Sequence, residues 1–460
     1  MSIGDGFSPR RARGGAWRPL IALTVVVVLL AAWLGARLGT EEAGRFRPST
    51  SGLTRLWAQA GTQSAYFYGI GVHGAMATFA STSGVAAYDV RSGGAAWTWS
   101  PPPGEGVCAA AAGDGTVLVA YARLPLLPGF RCSTVAALDQ TDGTVVWSLP
   151  MPAANDLMYL AVGDGQALVE FDHNSGESDA FVLDDYNLAT GAAGWSDPLS
   201  SGAAAACTPT QPMVEGDVIS VFDACPVLTN VLAGSATVVS FAAGSGKQLS
   251  GVRLAPKPCG TGGFVGSGSG YLVSGCAGAL GFGLFSLDFL DTATGSQHSV
   301  EVDTEYFTRT VVSGDTAYLT LETSRNSSGT RSSGSAGNSA DTLATAAAYD
   351  LSTGRELWQR SVPGYQVTMI SADSAGALAA VYNGATLSLV RYARSDGTPA
   401  AGPGTALGGS DDAELAALAG NGDLDLQMDG GVLLAGGARN SSADFQTETG
   451  PGLVALNVGS

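Results

Sequence analysis

AAYDLSTGRELW, residues 347–358, is the phrase on which the reading of this chain turns. Its first residues suit a strand. Asp350, Thr353 and Gly354 suit a tight turn, the glycine supplying positive φ, and Trp358 opens a returning strand four residues later. The phrase predicts a hairpin. It recurs as AAYDVRSGGAAW (86–97) and AALDQTDGTVVW (136–147), and more loosely as DDYNLATGAAGW (184–195). Weaker copies turn at Gly246, Gly295 and Gly397. Self-similarity at a spacing of about 50 residues marks a repeat architecture.

A second hairpin precedes every copy. It reads AGDGTVLVAY (112–121), VGDGQALVEF (162–171), VEGDVISVF (214–222), GSGSGYLVS (266–274), VSGDTAYLTL (312–321), SADSAGALAAVY (371–382) and, shorter, VHGAMATFA (72–80). The unit is therefore four strands: A, a GDG-like turn, B, a loop, C, an Asp-x-x-Thr-Gly turn, then D with its tryptophan. An eighth unit has MDGGVLLAGG (428–437) and GLVALNV (452–458), but Ser460 is reached before any D strand. LTRLWAQ (53–59) carries Trp57 and has no A, B or C ahead of it. Joining the two ends supplies the missing strand and removes a sheet edge. The expected fold is all-β, an eight-bladed β-propeller of four-stranded antiparallel blades over 53–460. Trp57, Trp97, Trp147, Trp195 and Trp358 fall at the D-strand position; Trp99 is the exception.

Composition agrees. Charged residues make up 13% and glycine 65 of 460 positions, which suits strands and turns better than helices with charged faces. The net charge is −18; Asp5 against Arg10, Arg11, Arg13 and Arg18 gives the first nineteen residues +3, leaving −21 on the rest. That charge repels nucleic acid. Residues 20–36, LIALTVVVVLLAAWLGA, are apolar or small and uncharged, with the arginines before them. Such a run is near the lower length limit for a membrane span, and basic flanks keep the N-terminus in the cytoplasm. A cleaved signal peptide is the rival, but Leu34 fits its −3 position poorly. The expected organisation is a cytoplasmic basic tail (1–19), a transmembrane signal anchor (20–38), a tether (39–52) and an extracytoplasmic propeller (53–460).

The phrase Ala-x-Asp-x-x-Thr-Gly-x-x-x-Trp resembles the repeat of the pyrroloquinoline-quinone-type, or quinoprotein-like, propellers, over roughly residues 53–460. The resemblance implies that each blade's tryptophan docks on its neighbour. Units four, five and seven carry Ser250, Ser299 and Ala401 there, so docking is not expected and those blades should be looser. The dehydrogenases of that family are longer and use an adjacent-cysteine disulfide, a calcium site and an Asp base around the quinone. No two cysteines here are neighbours, and no acidic cluster matches that site residue by residue. No catalytic, cofactor-binding or metal residue is therefore carried over. The expected function is binding or scaffolding for a protein or cell-envelope ligand, as in non-enzymatic members such as the propeller scaffold of the outer-membrane barrel-assembly machinery. The alternative is a diverged quinone-dependent oxidoreductase.

Six cysteines lie in the exported part, and six allow fifteen connectivities. Cys108, Cys207 and Cys259 precede or open strand A of units two, four and five; Cys132, Cys225 and Cys276 lie in the B–C loops of the same units. Those two places share one end of a four-stranded meander. Sequential pairing is expected: Cys108–Cys132, Cys207–Cys225 and Cys259–Cys276. Zinc is disfavoured, since no CxxC or clustered histidine accompanies them. The longest inserts, 122–132, 223–235, 323–343 and 437–451, emerge at the same end and mark it as the binding face. Asn326 and Asn440 stand in Asn-x-Ser sequons. His73, His173 and His298 share no spacing with a nucleophile or a ligand set, and the GDG tripeptides read as hairpin turns rather than calcium loops.

Overall fold

The structure, a computed structural model, describes residues 52–59, 67–124, 132–151, 155–174, 179–199, 208–209, 212–225, 235–254, 261–277, 285–302, 306–307, 310–324, 342–363, 365–382, 386–406, 424–429, 431–437 and 452–458. All belong to the unit Pro48–Ser460. The basic tail, the anchor and all of the tether but Gly52 lie outside the described residues. Among the described residues, no helix is long and apolar enough to cross a membrane.

Eight antiparallel sheets follow one another along the chain. Blades 1 to 7 span 67–99, 105–150, 155–199, 208–253, 261–302, 306–363 and 366–406. Blade 8 takes Leu424–Asp429, Val432–Gly437 and Leu453–Asn457, and its fourth strand is Thr54–Gln59 from the other end of the chain. Thr54 pairs with Asn457 and Gln59 with Leu453, antiparallel as ring closure requires. Each A strand neighbours the A strand of the next blade, and that of blade 8 returns to that of blade 1. Two hydrogen bonds seal this last step: Ile70 N–H donates to Asp425 Oδ2 (3.2 Å) and Gln427 Nε2 to the Ile70 carbonyl (2.7 Å).

Seven of the eight A strands are irregular, while that of blade 8 pairs without a break. Blades 1, 2, 3, 5 and 7 each carry a bulge there, between Phe67/Gly69, Val107/Ala109, Leu157/Tyr159, Phe264/Gly266 and Met369/Ser371. In blades 4 and 6 the strand breaks in two, into Thr208–Pro209 and Met213–Glu215, and into Tyr306–Phe307 and Val311–Ser313. Proline at 209 and 212 accounts for the first break, since it has no N–H for the ladder.

The core is a set of layers between blades. One holds Trp57, Val432, Leu434 and Leu453 of blade 8 against Ile70, Ala77 and Phe79 of blade 1. Another holds Leu168 and Leu183 of blade 3 against Ile219, Val221 and Phe241 of blade 4. Inner strands are buried on both faces, as in Thr116–Arg123. Outer strands alternate: in Val145–Pro150, Trp147 is buried while Val145, Val146 and Ser148 are exposed.

Candidate binding face and axial cavity

Five indoles tie blades together. Nε1 donates from Trp57 to the Val90 carbonyl (2.9 Å), from Trp97 to Gln140 (3.1 Å), from Trp147 to Leu188 (2.8 Å), from Trp195 to Ala243 (2.6 Å) and from Trp358 to Arg394 (3.1 Å). Every acceptor stands at the start of the next blade's C–D turn. Where the turn opens on Asp or Asn, that side chain fixes it: Thr353 and Ser352 donate to Asp350, which holds its carboxyl below the usual range, and Thr190 donates to Asn187, whereas the turns that receive Trp195 and Trp358 open on Ala242 and Ala393. The turn glycine has a second task. A β-carbon at Gly143 would stand 2.4 Å from Trp97, and one at Gly246 would stand 2.4 Å from Trp195. Trp99, outside this scheme, packs its ring against Tyr121, with centroids 5.7 Å apart.

At the opposite end lie the B–C loops. Cys108 and Cys132 are joined by a disulfide, with Cα atoms 6.4 Å apart. Cys108 is the bulged residue of its strand, between the pairs Val107–Tyr121 and Ala109–Ala120. The bulge takes its side chain out of the ladder's alternation, and bulges commonly re-aim a side chain in this way. Ser133 N–H donates to the Tyr121 carbonyl (3.0 Å), and Leu124 N–H to Gly104 (2.8 Å), so both stems of the blade 2 loop are held. Leu124 stands 47% exposed at its root. Cys207, Cys259 and the side chains of Cys225 and Cys276 lie outside the described residues, as do most of the four inserts and both sequons. By backbone, Cys225 ends strand B of blade 4 and Cys276 lies within strand B of blade 5, rather than in the loops beyond. His173 also belongs to a B strand, Gln166–Asn174, and not to a loop, because that hairpin extends to the pair Asn174–Asp179.

The turn end is tightly linked. Asp114 and Asp164 adopt left-handed φ of 49° and 48°, each followed by a glycine of positive φ. Gly165 N–H donates to Asp114 Oδ2 of the preceding blade (3.0 Å), and Gly270 N–H to Glu215 Oε1 (2.9 Å). These carboxylates bridge neighbouring hairpins. His73 packs beside Gly115, and His298 has its Cβ 3.0 Å from a β-carbon built at Gly354; nothing brings the two together.

The inner strands border an axial cavity of about 740 Å³, lined mostly by glycine, alanine and branched aliphatic residues. Its polar lining includes Tyr68, Tyr159, Ser267, Thr310 and Asp425. Pyrroloquinoline quinone carries three carboxylates. Among the described lining residues the one charged side chain is Asp425, so the quinone would meet a like charge and no cation. Among the described residues, no three His, Cys, Asp or Glu side chains group to hold a metal such as calcium. The residues present do not fit that cofactor.

Comparison with known proteins points the same way as the repeat. A family model described as the outer membrane protein assembly factor BamB matches residues 81–359. The solved structure of BamB from Moraxella catarrhalis is 13% identical, with 88% of this chain and 99% of that one covered and a TM-score of 0.50. The quinohemoprotein alcohol dehydrogenase ADHIIG from Pseudomonas putida HK5 is 11% identical, over 90% and 78% of the two chains, with a TM-score of 0.52. That of Comamonas testosteroni is 12% identical, over 89% and 77%, with a TM-score of 0.52. No curated protein matches the chain. Likeness at these identities concerns the fold.

Proposed function

The chain belongs to the family of the outer membrane protein assembly factor BamB, and on that premise we propose that it is a membrane-tethered extracytoplasmic scaffold that binds a protein or cell-envelope ligand and catalyses nothing. The family match carries the reading. The uncharged segment 20–36 behind its arginines supports the tether. The disulfide-held B–C end supports the choice of face, since long loops on a rigid repeat scaffold are where such proteins engage partners. The cation-poor axial cavity disfavours the oxidoreductase alternative.

The test takes the full chain from detergent-solubilised membranes after cross-linking in the intact cell envelope. Versions with the inserts 122–132, 223–235, 323–343 and 437–451 shortened one at a time should lose partners that the parent captures. Capture that survives all four shortenings refutes the choice of face. Dye-linked alcohol or sugar oxidation after adding quinone and calcium would overturn the non-catalytic reading. Recovery of the chain in the soluble fraction would remove the tether.

A further inference from the structure

Alternate residues of a strand share a face, so Leu168 of blade 3, packed against Ile219 and Val221 of blade 4, sets the direction of Glu170 and Asp172 on the same strand. Cross-strand pairing carries this face outward: Leu168 opposes Asp185, Glu170 opposes Leu183, and Leu183 opposes Asp197. On blade 4, Asp223 lies two residues beyond Val221 and so shares the face that meets them. Five carboxylates thus face the boundary between blades 3 and 4. The other titratable residues that the pairing brings to this face are Asp156, which opposes Asp172, Tyr159, which opposes Glu170, and Arg253, exposed on the outermost strand of blade 4 and paired with Thr237.

Glu170 is the extreme case. It is 0% exposed, and neither carboxylate oxygen has a hydrogen-bond partner. Asp185 is 6% exposed, and its Oδ1 also lacks a partner. An enclosed carboxylate without a donor keeps its proton or opens its surroundings to water. Burial, with the charge of Asp223 added, pushes Glu170 up to about 8, and burial pushes Asp185 up to about 6. Asp197 and Asp223 move upward for the same reason. No three-residue metal group forms among the described residues, so the proton is the partner that this geometry leaves for Glu170.

We propose that the boundary between blades 3 and 4 is a protonation-controlled latch, closed when Glu170 carries its proton and released when Glu170 ionises between the two blades. Position gives the release its consequence. Trp195, bonded to the Ala243 carbonyl, is the indole tie across this boundary. The next two boundaries carry Ser250 and Ser299 where a tryptophan would stand, so loosening this one frees an arc of blades 4 and 5 that no indole ties to blade 6. The sign follows from linkage. The folded-state value of Glu170 lies above its ordinary 4.5, so the stabilisation is full below that value and is lost as pH rises through about 8.

Hydrogen exchange on the full chain, corrected for the intrinsic rate, tests the latch between pH 6 and pH 9. Amides of Val218–Cys225 and Ser235–Ala242 should lose protection on the order of tenfold relative to those of Thr116–Arg123 in blade 2. Glu170→Gln should abolish the pH difference. Asp223→Asn, which removes the repelling charge, should lower the midpoint. A ratio that stays flat across this pH range in the parent chain overturns the proposal, as does a pH difference that persists in Glu170→Gln. Should Glu170→Gln fail to fold, the parent profile and the Asp223→Asn midpoint still decide: an unchanged or raised midpoint overturns it.

Discussion

Trp358 of blade 6 lies on Gly397 of blade 7: its indole N–H donates to Arg394 (3.1 Å), and a β-carbon at Gly397 would stand 2.4 Å from the ring. The relation repeats for Trp57 and Gly93, Trp97 and Gly143, Trp147 and Gly191, and Trp195 and Gly246. The Thr-Gly turn and the Trp of the repeat are thus two halves of one contact, made between consecutive blades.

Gly397→Ala should be costly for two reasons. Its φ of 66° strains any side chain, and the new methyl displaces the indole. Together these should cost about 3 kcal/mol. Gly216→Ala has a similar φ of 56° but meets open space, and should cost about 1 kcal/mol. Urea unfolding of both variants checks this; equal losses would mean that the ring contact contributes nothing.

Blade 5 has no indole tie on either side, because Ser250 and Ser299 replace the tryptophans. Above Gly295 the nearest atom is Val252 Cγ2, and above Gly354 it is the His298 Cβ. At neutral pH, amides of Tyr271–Ala277 and Phe285–Asp291 should exchange about tenfold faster than those of Thr116–Arg123 and Thr134–Asp139 in blade 2. Equal protection would show that aliphatic packing alone holds these boundaries.

Much of the architecture was legible because one short phrase encodes both a turn and its seat in the next blade. Trp57 so near the chain start, and GLVALNV so near its end, announced the shared blade before any pairing was known. Other features depend on register, which a single sequence leaves open. Cys108 reads as an ordinary strand-opening residue, and its place in a bulge emerges only from the pairs on either side. Glu170 stands out as an acid within ALVEF, yet the acids that share its boundary come from four different strands. The glycine seats under the indoles were hidden by a sufficient explanation: positive φ already accounted for each glycine.

The Cys108–Cys132 bond closes a span of 24 residues. Chain-entropy reasoning gives it about 3 kcal/mol, through restriction of the unfolded chain. The paired substitution Cys108→Ser with Cys132→Ser should therefore lower the urea midpoint. Dithiothreitol should lower that of the parent toward the same value, and further if additional disulfides are reduced. A doubly substituted chain as stable as the parent would assign the bond no part in stability.

Ring closure rests on Ala455, which is fully buried and paired with Trp57 on one side and Leu434 on the other. Ala455→Pro removes an N–H from the centre of this sheet and crowds a strand flanked on both sides. The expected cost is at least about 3 kcal/mol, read as a lowered unfolding midpoint. Separating Thr54–Gln59 from Leu453–Asn457 also bares two strand edges, so light scattering should rise with concentration in this variant. Leu56→Ser, at a position 40% exposed on the same outer strand, should stay within about 0.5 kcal/mol of the parent. If Ala455→Pro instead unfolds at the parent's midpoint and scatters no more than the parent, the two ends are not what holds the ring shut, and the layers between blades would have to suffice alone.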